Sequence, residues 1–229
     1  MQKIVILTGA GISAESGIST FRDADGLWEG HDVMQVASPQ GWHQNQALVL
    51  DFYNQRRRQL KTVNPNDAHI AIQKLEDTYD VTVITQNVDD LHERAGSTDI
   101  IHLHGELNKV RSTGNSALVY DWTEDLNLGD QATDGFQLRP HIVWFGEMVP
   151  MLEPAIAITA QADIIMIIGT SLQVYPAASL VGYAKLGAKI YYIDPKPHIS
   201  HELSRLPQLK IIADKATTGV SQLVRELMV

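Results

Sequence analysis

The strongest constraint on the fold is a set of short runs dense in Ile and Val: Ile4–Leu7, Val81–Thr85, Ile142–Phe145, Ile164–Ile168, Lys189–Ile193 and Lys210–Ile212. Their apolarity is continuous rather than alternating. Each run therefore predicts a strand buried on both faces, as in a parallel sheet with helices on either side. Turn or helix signals separate the runs, and the expected fold class is α/β, a doubly wound parallel sheet. At 229 residues, 44% of them hydrophobic, the chain can bury one sizeable core and a smaller insertion. The rhythm breaks from about Asp25 to Asn64, which is aromatic and polar with helical spacing, and from about Arg111 to Leu138, which is polar and weakly periodic. The expectation is a single domain over 1–229, with the sheet built from 1–24, 65–110 and 139–229 and a small module from 25–64 and 111–138.

Composition narrows the chemistry. Charged residues make up 20% of the chain, 18 Lys and Arg against 27 Asp and Glu, for a net charge of −9. A surface of that sign repels phosphate backbones, so nucleic acid is not an expected partner. The lack of cysteine excludes disulfides, thiolate metal sites, iron–sulfur clusters and a cysteine nucleophile together. The N-terminal residues carry one lysine and a short apolar run without a cleavable leader, and no later run reaches the ~18 apolar residues of a membrane span. These features predict a cytoplasmic protein with no membrane partner.

Gly9-Ala10-Gly11 follows the first run directly, and Ser13, Ala14, Glu15 and Ser16 favour a helix start. Glycines at this place let the backbone approach a pyrophosphate, or simply make a tight strand-to-helix connection. A dehydrogenase would continue into a second strand ending in an acid about 20 residues on. Here that window reads Phe21-Arg22-Asp23-Ala24-Asp25-Gly26-Leu27-Trp28, which is no strand. A Phe-Arg-Asp cluster instead offers a ring to cover a flat cofactor ring and a guanidinium for a phosphate, or a plain surface ion pair.

Gln86-Asn87-Val88-Asp89 closes the run Val81–Thr85. Polar groups at the carboxyl end of a parallel strand face the ligand crevice, so Gln86, Asn87 and Asp89 are cofactor candidates, with helix capping by Asn87 or Asp89 as the alternative. Ile101-His102-Leu103-His104-Gly105 closes another short strand. Its histidines point the same way, as in a metal pair, but no third ligand stands at zinc-type spacing. His104, next to a glycine turn, suits a general base working near neutral pH, and His102 reads as a structural histidine.

Taken together, Gly9-Ala10-Gly11-Ile12-Ser13, Gly17-Ile18 through Phe21-Arg22, Thr85-Gln86-Asn87-Val88-Asp89, His104-Gly105, Pro140-His141-Ile142-Val143-Trp144-Phe145-Gly146-Glu147 and Gly169-Thr170-Ser171 resemble the sirtuins over essentially the whole chain. The resemblance implies a Rossmann-like domain with a small helical and zinc-ribbon module, NAD and an acylated lysine meeting between them. It implies that NAD is consumed: the acyl oxygen attacks the nicotinamide ribose, nicotinamide leaves, and the acyl group ends on ADP-ribose with His104 as base. Carried over by position, Gly9, Ala10, Gly11, Glu15, Thr20, Phe21, Arg22, Trp28, Gln86, Asn87, Val88, Asp89, Gly169, Thr170, Ser171, Asp194 and Ala216 would contact the cofactor. Asp194 replaces a commoner Asn. Asn87 and Asp89 would join His104 in catalysis, and Val143, Trp144 and Phe145 match an edge strand that pairs with a substrate peptide.

Tyr53 and Arg56 lie three apart on a predicted helix and project from one face. A phenol and a guanidinium beside an apolar channel would grip a carboxylate by charge-assisted bonds, although Arg56-Arg57-Arg58 also reads as a solvated basic face. The pair resembles that of sirtuins that remove succinyl and malonyl groups, with Ala37 as the small pocket residue. Where sirtuins commonly carry two Cys-x-x-Cys pairs, this chain has Ser112-Thr113-Gly114-Asn115 and Gln131-Ala132-Thr133-Asp134. Those oxygens make a poor zinc site, so the expectation is no zinc and a module held by hydrogen bonds and packing. The rival readings are an NAD dehydrogenase, a metal hydrolase using His102, His104 and Asp89, a non-catalytic NAD or ADP-ribose sensor, and a protein mono-ADP-ribosyltransferase.

Overall fold

A computed structural model of the chain describes residues 1–20, 27–200, 203–206 and 208–228. In chain order its strands are β1 (Lys3–Thr8), β2 (Leu27–Trp28), β3 (His31–Asp32), β4 (Asp80–Thr85), β5 (Ile100–His102), β6 (Gly105–Ser112), β7 (Val119–Asp121), β8 (Leu138–Ile142), β9 (Ile164–Ile168), β10 (Lys189–Ile193) and β11 (Leu209–Ile212). The α-helices are α1 (Val33–Val36), α2 (Pro39–Gln44), α3 (Gln46–Leu60), α4 (Asp67–Lys74), α5 (Leu91–Ala95), α6 (Leu152–Thr159) and α7 (Ala216–Leu227).

Six strands form a parallel sheet in the order β11-β10-β9-β1-β4-β5. Successive side chains of a strand point to opposite faces, and both faces of β1 are covered. Ile4 and Ile6 pack with Ala68 and Ile72 of α4 and with Val220 and Leu223 of α7. Val5 and Leu7 pack on the other face with Ala155 of α6 and with Leu180. The continuous Ile/Val runs thus have the predicted cause. One does not: Ile142–Phe145 is no strand of this sheet, because β8 ends at Ile142 and pairs antiparallel with β6. The helix start expected after Gly11 is also replaced, by two short 3-10 turns, Ala10–Ile12 and Ala14–Ser16.

The small module has its own core, in which Phe52 and Tyr53 of α3 meet Leu107 and Val110 of β6, Leu126, Leu138 and Trp144. Its antiparallel sheet, ordered β7-β6-β8, begins at Gly105, so residues 105–110 leave the parallel sheet earlier than the sequence rhythm indicated. Gly105 turns the chain there with φ +82, and a Cβ on it would stand 2.0 Å from the His141 carbonyl oxygen. Buried polar side chains of α3 stitch the module together. Asn54 donates to the Leu126 carbonyl and accepts from the Leu126 N–H, and the Arg57 guanidinium donates to Leu107 O and Asn54 Oδ1 at 3.1 and 2.7 Å.

Where the family resemblance implies zinc, the donors are already engaged with protein. Ser112 Oγ donates to Asp134 Oδ2 at 2.7 Å and accepts from the N–H groups of Gly114 and Asn115. The Thr133 hydroxyl is bonded to the Tyr120 phenol at 2.8 Å, and Phe136 N–H donates to the other Asp134 oxygen. Among the described residues no group of three or more His, Cys, Asp or Glu is placed to hold a metal. The residues present do not fit zinc. Ser112 is buried and satisfies three partners, so Ser112→Ala is expected to cost about 2–3 kcal/mol by orphaning them. Chemical denaturation would register this as a lower midpoint at unchanged slope, and a loss below about 0.5 kcal/mol would refute the role.

Candidate active site

The sheet order reverses direction between β9 and β1, and open α/β sheets take ligands at such a switch point, beyond the carboxyl ends of the strands. The loops after β1 and β9 are joined by backbone hydrogen bonds. Gly11 N–H donates to Gly169 O at 2.8 Å and Gly9 N–H to Ile168 O at 3.0 Å. A Cβ on Gly11 would lie 2.6 Å from Gly169 Cα, and one on Gly169 would lie 2.3 Å from Ile12 N. The glycines are therefore accounted for by close packing of the two loops, which brings Ala10, Thr170 and Ser171 to the crevice rim.

The loop after β4 joins the same cluster. Gln86 Nε2 donates to Thr170 Oγ1 at 3.0 Å, and Asn87 Nδ2 donates to Gly9 O and to Ser13 Oγ, each at 3.2 Å. Ser13 Oγ in turn donates to Asp89 Oδ2 at 3.0 Å. Ser13 is buried and connects two of the predicted catalytic side chains, yet it was noted in sequence only as part of the glycine loop. Helix capping is a minor part of the picture: Asp89 Oδ1 accepts from Leu91 N–H, and Asn87 caps no helix.

His104 Nδ1 lies 3.0 Å from the Gln86 carbonyl oxygen, an acceptor only, so Nδ1 carries the proton and Nε2 keeps a lone pair. Burial holds the ring below the usual histidine range, partly offset by that hydrogen bond, and His104 is neutral at pH 7. Asp89 is pushed up to about 6, first by burial, against the hydrogen bonds from Leu91 and Ser13. His102 is the structural histidine expected: its ring bonds Glu93 Oε1 at 2.6 Å and Asn87 O at 3.3 Å. Burial disfavours its charge, but the Glu93 carboxylate outweighs burial and raises it.

The three consecutive arginines of α3 have separate environments. Arg58 is the exposed one and pairs with Asp125. Arg57 is buried in the module. Arg56 shares a pocket with Ile18, Trp28, Glu29, Val88, Asp89 and Leu107, and its Nε and Nη1 are buried without a hydrogen-bond partner. Its guanidinium lies 4.3 Å from the Phe52 ring centre, and burial lowers its pKa, partly countered by Glu29 and Asp51. Tyr53 is fully buried, its hydroxyl accepting from Trp144 Nε1 at 2.9 Å, and burial keeps the phenol protonated.

Other predicted site residues divide. Trp28 packs edge-on to Phe52 and Tyr53 and lines the pocket that also holds Arg56, Val88 and Asp89. Glu15 Oε2 accepts from Thr217 N–H at 3.0 Å, tying the glycine loop to the start of α7 next to buried Ala216. Thr20 is half-buried, Asp194 is buried at the end of β10, and Phe21 and Arg22 lie outside the described residues. The edge strand expected over Val143–Phe145 is not formed. Val143 N–H donates to His104 O, Trp144 N–H to Glu147 Oε2, and Phe145 N–H to Ala37 O, so this segment ties the backbone of His104 to that of Ala37.

The family model described as "Sir2 family" matches residues 9–176. The chain belongs to the Sir2 family. An "NAD-dependent protein deacylase" of Helicobacter pylori is 62% identical over 229 residues, covering 100% of this chain and 98% of that protein. One of Bacteroides thetaiotaomicron with the same description is 52% identical, covering 100% and 99%. Among solved structures, a Sir2 homologue in complex with NAD superposes with TM-score 0.87 at 39% identity, over 99% of this chain and 89% of that one. Sir2Af2 bound to a myristoylated histone peptide gives 0.74 at 32% identity, over 98% and 90%.

Behind the Sir2 crevice lie two further histidines. His92 Nε2 contacts Thr8 Oγ1 at 3.1 Å, and the His69 and His92 rings stand 4.9 Å apart. Burial lowers His69 to about 4 and holds His92 well below the histidine range, the neighbouring histidines adding to the effect on His92. Below about pH 6.5 the unfolded chain takes up protons these rings refuse, so stability falls with pH, by at most about 1.4 kcal/mol per pH unit for each ring. Asp89, with its raised pKa, opposes this below pH 6, and His102 titrates above the window. Denaturation between pH 4.5 and 6.5 should show stability dropping towards acid, with a slope shallower by about one proton in His69→Gln; an unchanged slope would refute the assignment.

Proposed function

We propose that this protein is an NAD-dependent protein-lysine deacylase that favours acyl groups ending in a carboxylate. The chemistry of the donor set fits NAD as co-substrate: amide, hydroxyl and carboxylate groups of Asn87, Gln86, Thr170, Ser13 and Asp89 converge at the switch point beside a neutral histidine. NAD, when bound, supplies a glycosidic bond whose cleavage releases nicotinamide and activates the ribose for the acyl oxygen. Asn87 and Asp89 orient the ribose side. The free Nε2 of His104 removes a proton from a ribose hydroxyl. Close relatives described as NAD-dependent protein deacylases support this reading, and it makes acylated-lysine proteins the substrates.

The carboxylate preference rests on Arg56. A guanidinium with Nε and Nη1 buried and unpartnered, in one pocket with Val88 and Asp89, pays a desolvation cost that an anionic ligand would offset. Succinyl and malonyl groups supply such an anion, and an acetyl group does not. The Tyr53 phenol, kept protonated, offers a second donor.

Nicotinamide release from NAD with matched peptides carrying succinyl-lysine, acetyl-lysine or unmodified lysine tests both levels. Release should require the acyl group, vanish in His104→Ala, and survive chelators. The kcat/KM should fall towards acid only below pH 6.5, as His104 takes up its proton. Arg56→Met should lower the succinyl-to-acetyl ratio of kcat/KM about 10- to 100-fold, as expected for one charge-assisted contact. Equal loss on both peptides would remove the carboxylate preference, and release independent of acylation would remove the deacylase.

A further inference from the structure

Trp144 is almost wholly buried, with 2% of its surface exposed, and it is gripped from two sides. The Arg139 guanidinium lies against its indole, 3.3 Å from the ring centre. Arg139 is in turn fixed by both Glu147 oxygens, at 2.7 and 3.1 Å, and by the Ile142 carbonyl at 2.9 Å. Glu147 also accepts from the backbone N–H of Trp144 at 2.8 Å and from Arg111 at 3.2 Å. Ring plane and backbone are thereby set by one carboxylate and two guanidinium groups. The one polar atom of the side chain, Nε1–H, is aimed at the Tyr53 hydroxyl oxygen at 2.9 Å.

That hydrogen bond has a directional consequence. A phenol oxygen that accepts on one side has its own proton turned to another, and none of the described residues accepts the Tyr53 proton. Tyr53 sits against Phe52, whose ring carries the Arg56 guanidinium. We propose that Trp144 is a positioning residue for acyl selection: its indole N–H occupies the accepting side of Tyr53 and turns the phenol proton towards the carboxylate held by Arg56, with the Arg139–Glu147 pair as the brace. The inference rests on the carboxylate-preferring reading of the Tyr53 and Arg56 pocket. It assigns to the Arg139–Glu147 pair a role in which neither side chain touches substrate.

A double-mutant cycle on the succinyl-to-acetyl ratio of kcat/KM tests it. Trp144→Phe keeps an aromatic ring under Arg139 and removes the N–H together with part of the indole's volume, so the Tyr53→Phe background serves as the control that isolates the N–H. It should lower the ratio about tenfold, through a higher KM for the succinyl peptide. In a Tyr53→Phe background the same change should leave the ratio where Tyr53→Phe alone puts it, since the indole then has no hydroxyl to orient. Glu147→Gln, which loosens the brace and keeps an oxygen for the Trp144 N–H, should move the ratio in the same direction by less, again only when Tyr53 is present. A ratio unchanged by Trp144→Phe, or an equal fall with and without the Tyr53 hydroxyl, would overturn the inference. Arg56→Met separates the two levels: if it leaves the ratio unaltered, the pocket reading itself falls, and if it collapses the ratio while Trp144→Phe does not, only the positioning role falls.

Discussion

The contact between Gly11 and Gly169 is the constraint on which the catalytic crevice depends. Two loops leaving adjacent strands, β1 and β9, approach until a single methyl on either would overlap the other's backbone. That approach brings Ser13 under the loop after β4 and lets it reach Asn87 and Asp89, while Gln86 reaches across to Thr170. Three loops from three neighbouring strands become one hydrogen-bonded unit, with His104 oriented by the backbone of Gln86. Burial then does the electrostatic tuning. Burial favours the neutral imidazole of His104 and raises the Asp89 carboxyl to about 6.

The small module solves a different problem, that of folding a short ribbon with little apolar surface. A tetrathiolate zinc would supply that order in one step. Here the work is divided. Ser112 and Asp134 close the ribbon's turns, Tyr120 and Thr133 bridge them, and Asn54 and Arg57 fasten the ribbon to α3. Each such bond contributes about 1 kcal/mol net, so several are needed, and each buried group must stay paired. The same helix that anchors the ribbon also carries Tyr53 and Arg56, so the stability of the module and the geometry of the proposed acyl pocket depend on one element.

Much of this was legible in the sequence because its signals are local. Continuous Ile and Val runs marked five of the six parallel strands, and Ile101-His102 marked the remaining one. Glycines and polar residues following those runs marked the crevice. Ile142–Phe145 misled because an apolar run carries no sign of which sheet it joins: its preceding Pro140 lies in β8 of the ribbon, and the residues after Ile142 are taken up by side-chain and backbone partners distant in sequence. Glu15 was read only as a cofactor contact, and its bond to Thr217, 202 positions away, had no sequence signal. Ser13 and Glu147 were under-read for the same reason. Their importance lies in which groups they join, and that information exists only once the chain has folded.

Arg56, Arg57 and Arg58 show why composition alone could not settle the pocket. Identical side chains on consecutive residues of a helix point about 100° apart, so one faces solvent, one the module's interior and one the crevice. The solvent-facing residue makes an exposed ion pair of little energetic weight. The interior one donates through Nε and Nη1 to the neutral oxygens of Leu107 and Asn54, keeps Nη2 buried and unpartnered among the described residues, and serves packing. Of the three, Arg56 is the one whose buried, unpartnered donors, Nε and Nη1, lie in the pocket beside Val88 and Asp89, in a protein of net charge −9. Under the carboxylate preference proposed above, a ligand would meet long-range repulsion and one short-range attraction. Its recognition would then depend on how accurately that pocket is preformed, and the segment from Val143 to Phe145 bonds the His104 backbone, the Tyr53 phenol and Ala37 in three successive residues.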